Sequence, residues 1–153
     1  MPRVQREARV AWDGNLPRGS GSITAATGSF ADLPYSLATR VEQPDGKTSP
    51  EELLAAAHAA CYAMSLAGEL TTAGSAPEHL DVRAVVTLDE VEGGSHRIVS
   101  SDVLARARVT GMDGPALQRV AELASEGCPF SALIEASGEV TVKAILEGGT
   151  DGN

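Results

Sequence analysis

The stretch that most constrains this chain is Leu53-Leu54-Ala55-Ala56-Ala57-His58-Ala59-Ala60-Cys61-Tyr62-Ala63-Met64, which is apolar on nearly every side of any helix it forms. It is rich in strong helix formers, and its start is well marked. Ser49 is placed to accept from the amide of Glu52, with Glu52 reaching back to the cap. Pro50 takes the first helical position, where a missing N–H costs nothing. A helix without a polar face has to be buried on most sides. The uncharged run from Leu53 to Gly68 is shorter than the roughly 20 residues a membrane span needs, and it contains His58 and Ser65. The segment is therefore expected to be the buried helix of a soluble fold, ending near Thr72 to Gly74.

On either side the pattern is that of strands. Val4, Arg6, Ala8, Val10 and Trp12 alternate with their neighbours, and Asp13-Gly14-Asn15 is a turn signal. A Gly/Ser stretch, Gly19 to Ser22, leads into a second strand at Ile23 to Ala26, broken at Thr27-Gly28, and Tyr35 to Glu42 predicts a third. Leu80 to Val91 and His96 to Val109 predict two long strands joined at Gly93-Gly94. Pro115 opens a helix that Gly127 can end. Pro129 starts a short helix to about Glu135, and Val140 to Leu146 closes the chain as a strand. This order predicts an α+β fold with the long helix lying against a largely antiparallel sheet. With 153 residues and no repeat or linker, residues 1–147 are expected to form one domain, and 148–153 a disordered tail.

The net charge of −9 argues against a nucleic-acid partner and against an anionic membrane surface. One Trp, two Tyr and two Phe are too few for a base-stacking platform. Two cysteines are too few for a secreted disulfide scaffold. The N-terminal residues lack an apolar signal core, so a cytoplasmic location is expected.

Those two cysteines carry the chemical interest. Cys61, mid-helix, reads first as a small buried hydrophobe and second as a reactive thiol. Cys128 lies between a helix-ending Gly127 and a helix-starting Pro129, near amides that favour a thiolate. It also reads as a plain cap. His58 shares a helical face with Cys61, but His79 and His96 have no ligand spacing and there is no C-x-x-C pair, so a metal site is not expected. Gly46-Lys47-Thr48 lacks the upstream glycine of a P-loop, and there is no G-x-S-x-G elbow.

The run from Ser49 to Cys61 closely resembles the peroxidatic-cysteine helix of the OsmC/Ohr family, the osmotically induced and organic-hydroperoxide-resistance proteins. Gly127-Cys128-Pro129-Phe130-Ser131 resembles its resolving-cysteine motif. Ala11-Trp12-Asp13-Gly14 and Pro34 to Arg40 are also similar to the family, so the likeness spans about residues 8 to 146. His58-Ala59-Ala60 and an arginine late in the Tyr35 strand look more like the OsmC branch.

The resemblance implies an OsmC-like α+β fold, with largely antiparallel sheets around a long central helix in an intertwined homodimer. It implies reduction of organic hydroperoxides without a metal or bound organic cofactor. Cys61 would attack the peroxide and Cys128 would resolve the sulfenic acid to a disulfide. An external dithiol, such as a dihydrolipoyl group, would reset the pair. The family's glutamate maps onto Glu51 and its arginine onto Arg40, with Arg18 in competition. Glu51 and Cys61 lie about 15 Å apart along one helix at 1.5 Å per residue. Antiparallel pairing of two such helices across a two-fold axis would bring Glu51 of one chain towards Cys61 of the other. The apolar residues Leu54, Tyr62, Met64, Phe130 and Leu133 are expected to favour alkyl or lipid hydroperoxides. A redox sensor or a stress-induced binding protein on the same fold is the competing reading.

Overall fold

The computed structural model describes residues 3–148. The expected tail therefore falls, beyond Gly148, outside the described residues. The chain forms two compact units, Met1–Leu53 and Leu54–Asn153, whose boundary falls in the first turn of the long helix. The fold is α+β.

The first unit is an antiparallel three-stranded sheet, β1 (Ala8–Asp13), β2 (Ser20–Ala25) and β3 (Leu33–Tyr35), in that order. Trp12, Gly21 and Tyr35 form one row across it. The strand expected over Tyr35 to Glu42 stops at Tyr35, and Leu37–Val41 is a helical turn, α1. Local capping overrides the alternating pattern. Ser36 accepts from the Thr39 amide while the Thr39 hydroxyl accepts from the Ser36 amide. Arg40 thus sits in the last turn of a short helix, not in a strand.

The long helix, α2, runs Pro50–Thr72. Its expected capping box is half formed. The Glu52 amide donates to Ser49 Oγ at 3.1 Å, but the Glu52 carboxylate accepts from the Thr48 hydroxyl at 2.9 Å instead of from the cap. By length and composition α2 could cross a membrane, with a mean hydropathy of 1.3. Its buried residues, His58, Tyr62, Leu66 and Leu70, recur every fourth position as one stripe, and the last three join the core. Burial on most sides is not what the single chain provides. Ala56, Ala60, Met64 and Gly68 are exposed on another face, because one chain covers only part of an all-apolar helix.

In the second unit β4 (His79–Glu90) pairs antiparallel with β5 (His96–Arg108), with a bulge at Thr87/Leu88. Gly93 and Gly94, both at positive φ, turn the hairpin. β6 (Glu139–Leu146) lies parallel to β5, the one parallel pairing among the described residues. A parallel neighbour requires a crossover, supplied by α3 (Gly114–Glu126) and α4 (Pro129–Glu135). Val103, Ala105 and Ala107 of β5 meet Leu117, Ala121 and Ala124 of α3 and the α2 stripe in one core.

Candidate active site

The second unit brings the two cysteines together. Asp113 caps α3 by accepting from the Ala116 amide, and α3 ends at Gly127 in right-handed backbone, not the left-handed cap that glycine suggests. Cys128 is then the extended N-cap of α4, with Pro129 in the first turn. Its sulfur makes no capping hydrogen bond and is 1 % exposed. The Phe130 backbone N–H acts on Cys61, where it favours the thiolate. Cys61 is half-buried and packs against the core that holds Cys128, and both are free thiols.

Burial pushes the Cys61 thiol pKa up, and the neighbouring Cys128 sulfur pushes it further, as hydrogen-bond partner and as charge. The Phe130 amide opposes them. Among the described residues of this unit no cation acts on Cys61, so in isolation the unit keeps Cys61 a thiol.

The first unit holds the charge. Arg40 Nε donates to both Glu51 oxygens, at 3.0 and 3.1 Å, and Nη2 donates to Oε1 at 2.5 Å. This fork fixes the guanidinium plane and leaves Nη1 without a partner among the described residues. The Glu51 hydrogen bond raises the Arg40 pKa, so the cation is permanent. Arg40 lines a cavity of about 270 Å³ with Trp12, Leu16, Tyr35, Leu37 and Pro50. The Trp12 and Tyr35 rings flank Gly21, with centroids 5.7 Å apart. Arg18 sits exposed in the β1–β2 turn, where its amide donates to Asn15 Oδ1.

Arg40 and Glu51 therefore form one cluster and Cys61 and Cys128 another, each within its own unit. Of the expected apolar neighbours, Tyr62 and Phe130 pack in the core with Cys61 and Cys128, whereas Met64 and Leu133 are exposed. Sequence reading missed Leu16 and Leu37 beside Arg40. It also missed Ser101 and Ser131, which hold the ring of His58. Nδ1 lies 2.7 Å from Ser101 Oγ and Nε2 2.9 Å from Ser131 Oγ. His58 is fully buried, and that burial lowers its pKa against a weaker opposing pull from Glu135. Among the described residues no three His, Cys, Asp or Glu side chains group as metal ligands.

A family model described as OsmC-like protein matches residues 43–143. Peroxiredoxin OsmC of Escherichia coli is 34% identical over 139 residues, 91% of this chain and 94% of that protein. Among solved structures, the organic hydroperoxide resistance protein OhrB of Bacillus subtilis is 25% identical, with a TM-score of 0.65 over 92% of this chain and 98% of its own. An OsmC-like protein of unknown function from Vibrio cholerae has a TM-score of 0.72 at 19% identity, covering 94% of this chain and all of its own, and supports the fold alone. Sequence and fold agree, and this chain belongs to the family of OsmC-like proteins.

Proposed function

We propose that this chain is a cysteine-based peroxidase that reduces organic hydroperoxides, with Cys61 as the attacking thiolate and Cys128 as its resolving partner. The observation that carries this reading is a half-buried thiol packed in one core with a second, buried thiol, both of them free. The name peroxiredoxin borne by the Escherichia coli relative supports it.

The Cys61 thiolate attacks the distal peroxide oxygen. The O–O bond breaks, the alkoxide takes a proton and leaves as alcohol, and Cys61 becomes a sulfenic acid. Cys128 then displaces hydroxide from that sulfur, losing its proton to it as water, and a disulfide forms. An external dithiol, for which a dihydrolipoyl group is our first choice, restores both thiols by exchange. Arg40, oriented by Glu51, supplies the cation that Cys61 needs, and its free Nη1 stabilises charge developing on the peroxide oxygens. The apolar walls beside Arg40 suit an organic substituent and favour alkyl or aryl hydroperoxides over hydrogen peroxide.

The exposed stripe Ala56, Ala60, Met64 and Gly68 and the wholly exposed β1 support an antiparallel homodimer paired through α2. We read 1–147 as one functional domain within it, working in the cytoplasm. A monomer at micromolar concentration in sedimentation would count against the dimer.

Peroxide consumption with a dithiol, for cumene hydroperoxide and hydrogen peroxide, tests the whole scheme. Cys61→Ser abolishes turnover. Cys128→Ser reacts once and then accumulates sulfinic acid, read by mass spectrometry. A protein that oxidises once, is not reset by any dithiol and does not turn over would instead be a sensor.

A further inference from the structure

The corner carrying Cys128 is held on both arms by side chains of α2. Before the corner, the Tyr62 hydroxyl donates to the Ala121 carbonyl at 2.8 Å, and Ser65 Oγ donates to the Ala124 carbonyl at 2.7 Å, both on α3. After the corner the hold is His58 on Ser131 of α4, with the far side of the ring anchored on Ser101 of β5. His58, Ser101 and Ser131 are all fully buried. Helix α4 has seven residues and only two buried side chains, Ser131 and Ile134. A helix so short has little stability of its own, so one of its two anchors is the contact with His58.

Ser125 Oγ donates to Ser131 Oγ at 3.3 Å. In either tautomer one ring nitrogen of His58 donates to a serine hydroxyl and the other accepts from one. A neutral imidazole satisfies both hydroxyls at once, which a hydrocarbon side chain at this position would leave unpaired.

We propose that His58 is a positioning residue for the disulfide-forming step. It holds α4 so that the Cys128 sulfur and the Phe130 amide stay against Cys61 after Cys61 is oxidised. In that step the S–O bond of the sulfenic acid breaks, the Cys61–Cys128 bond forms, and hydroxide leaves with the Cys128 proton as water. The sulfenic acid comes from the peroxidase reading, but the geometry bears equally on closure by another two-electron oxidant. With diamide, Cys61 adds across the N=N bond and Cys128 displaces the resulting hydrazine.

The test follows the ratio of dimedone-trapped Cys61 sulfenic acid to disulfide after one equivalent of cumene hydroperoxide. Beside it runs the rate of disulfide closure with diamide. His58→Leu and Ser131→Ala each raise the trapped ratio and slow diamide closure by about tenfold, a loss of roughly 1.4 kcal/mol. His58→Gln, whose amide both donates and accepts, recovers most of the closure rate. Leu70→Ala, a cavity elsewhere on α2, lowers stability without changing the ratio. Closure at the wild-type rate in Ser131→Ala, or equal slowing in Leu70→Ala, overturns the proposal. Slowed diamide closure without any reaction towards peroxide would remove the peroxidase reading and leave the positioning role standing.

Discussion

The two units spend burial in opposite ways. In the second, Cys128 and the ring of His58 are buried and Cys61 packs against the core, Ser101 and Ser131 pair with that ring, and among the described residues of the unit no cation acts on Cys61. In the first, the Arg40 side chain and Trp12 are each 37 % exposed, and among the described residues only Ile23 of the large hydrophobics is buried. One region holds two sulfurs together in the core and keeps Cys61 protonated. The other presents a permanent charge and an apolar wall, with no thiol among its described residues. The OsmC-like fold carries both in one chain.

The most damaging blow to this contrast is expected from Arg40→Ala, which lowers kcat/KM for cumene hydroperoxide by about 10²–10³-fold, the usual cost of losing one donor to a developing oxyanion. Arg18→Ala stays within about twofold. The reverse pattern in steady-state kinetics would move the role to Arg18. Next in size is the pH profile of Cys61 alkylation. In Arg40→Ala its midpoint lies above the usual thiol range of about 8.5, because burial and Cys128 both favour the neutral form. In the unaltered protein the midpoint is expected to lie lower; identical profiles would separate the two clusters functionally.

A smaller effect is expected from Trp12→Ala. Removing this wall lowers the preference for cumene hydroperoxide over hydrogen peroxide about tenfold, read as a ratio of kcat/KM values. An unchanged ratio would assign substrate choice to the sulfur cluster. The smallest concerns stability. The folded-state pKa of His58 is depressed, so the unfolded chain binds the proton more readily. The His58 contribution is full above the ordinary histidine pKa of about 6.5 and is lost as pH falls towards the folded value. Urea midpoints should decline below pH 6.5, and His58→Gln should flatten that decline.

What could be read from the sequence was local. Ser49-Pro50 marks the start of α2 by its capping chemistry, and Gly127-Cys128-Pro129 marks the α3–α4 corner, because the residue types dictate backbone geometry within a few positions. The same locality explains the error at Tyr35 to Glu42. Strand-like alternation and a Ser36–Thr39 capping box overlap there, and the box prevailed. Arg40 and Glu51 were paired through family likeness, not through any pattern that spacing reveals. The serines around His58 lie 43 and 73 positions away, and nothing near either residue points to the other. The parallel β5–β6 pairing was equally hidden, since strand composition does not encode a neighbour's direction.

Gly21 has a consequence for how the wall beside Arg40 behaves. A methyl group there would lie 2.7 Å from Tyr35 Cζ and 2.9 Å from Trp12 Cε3. The two rings therefore rest on main chain, with no side chain between them and the strand. The position of the wall is then inherited from the hydrogen-bonded ladder of β1, β2 and β3, and its motions are those of the sheet. Along a lineage, even one added carbon at Gly21 would tilt both rings together, so the cavity can be retuned in a single step but not enlarged gradually from beneath.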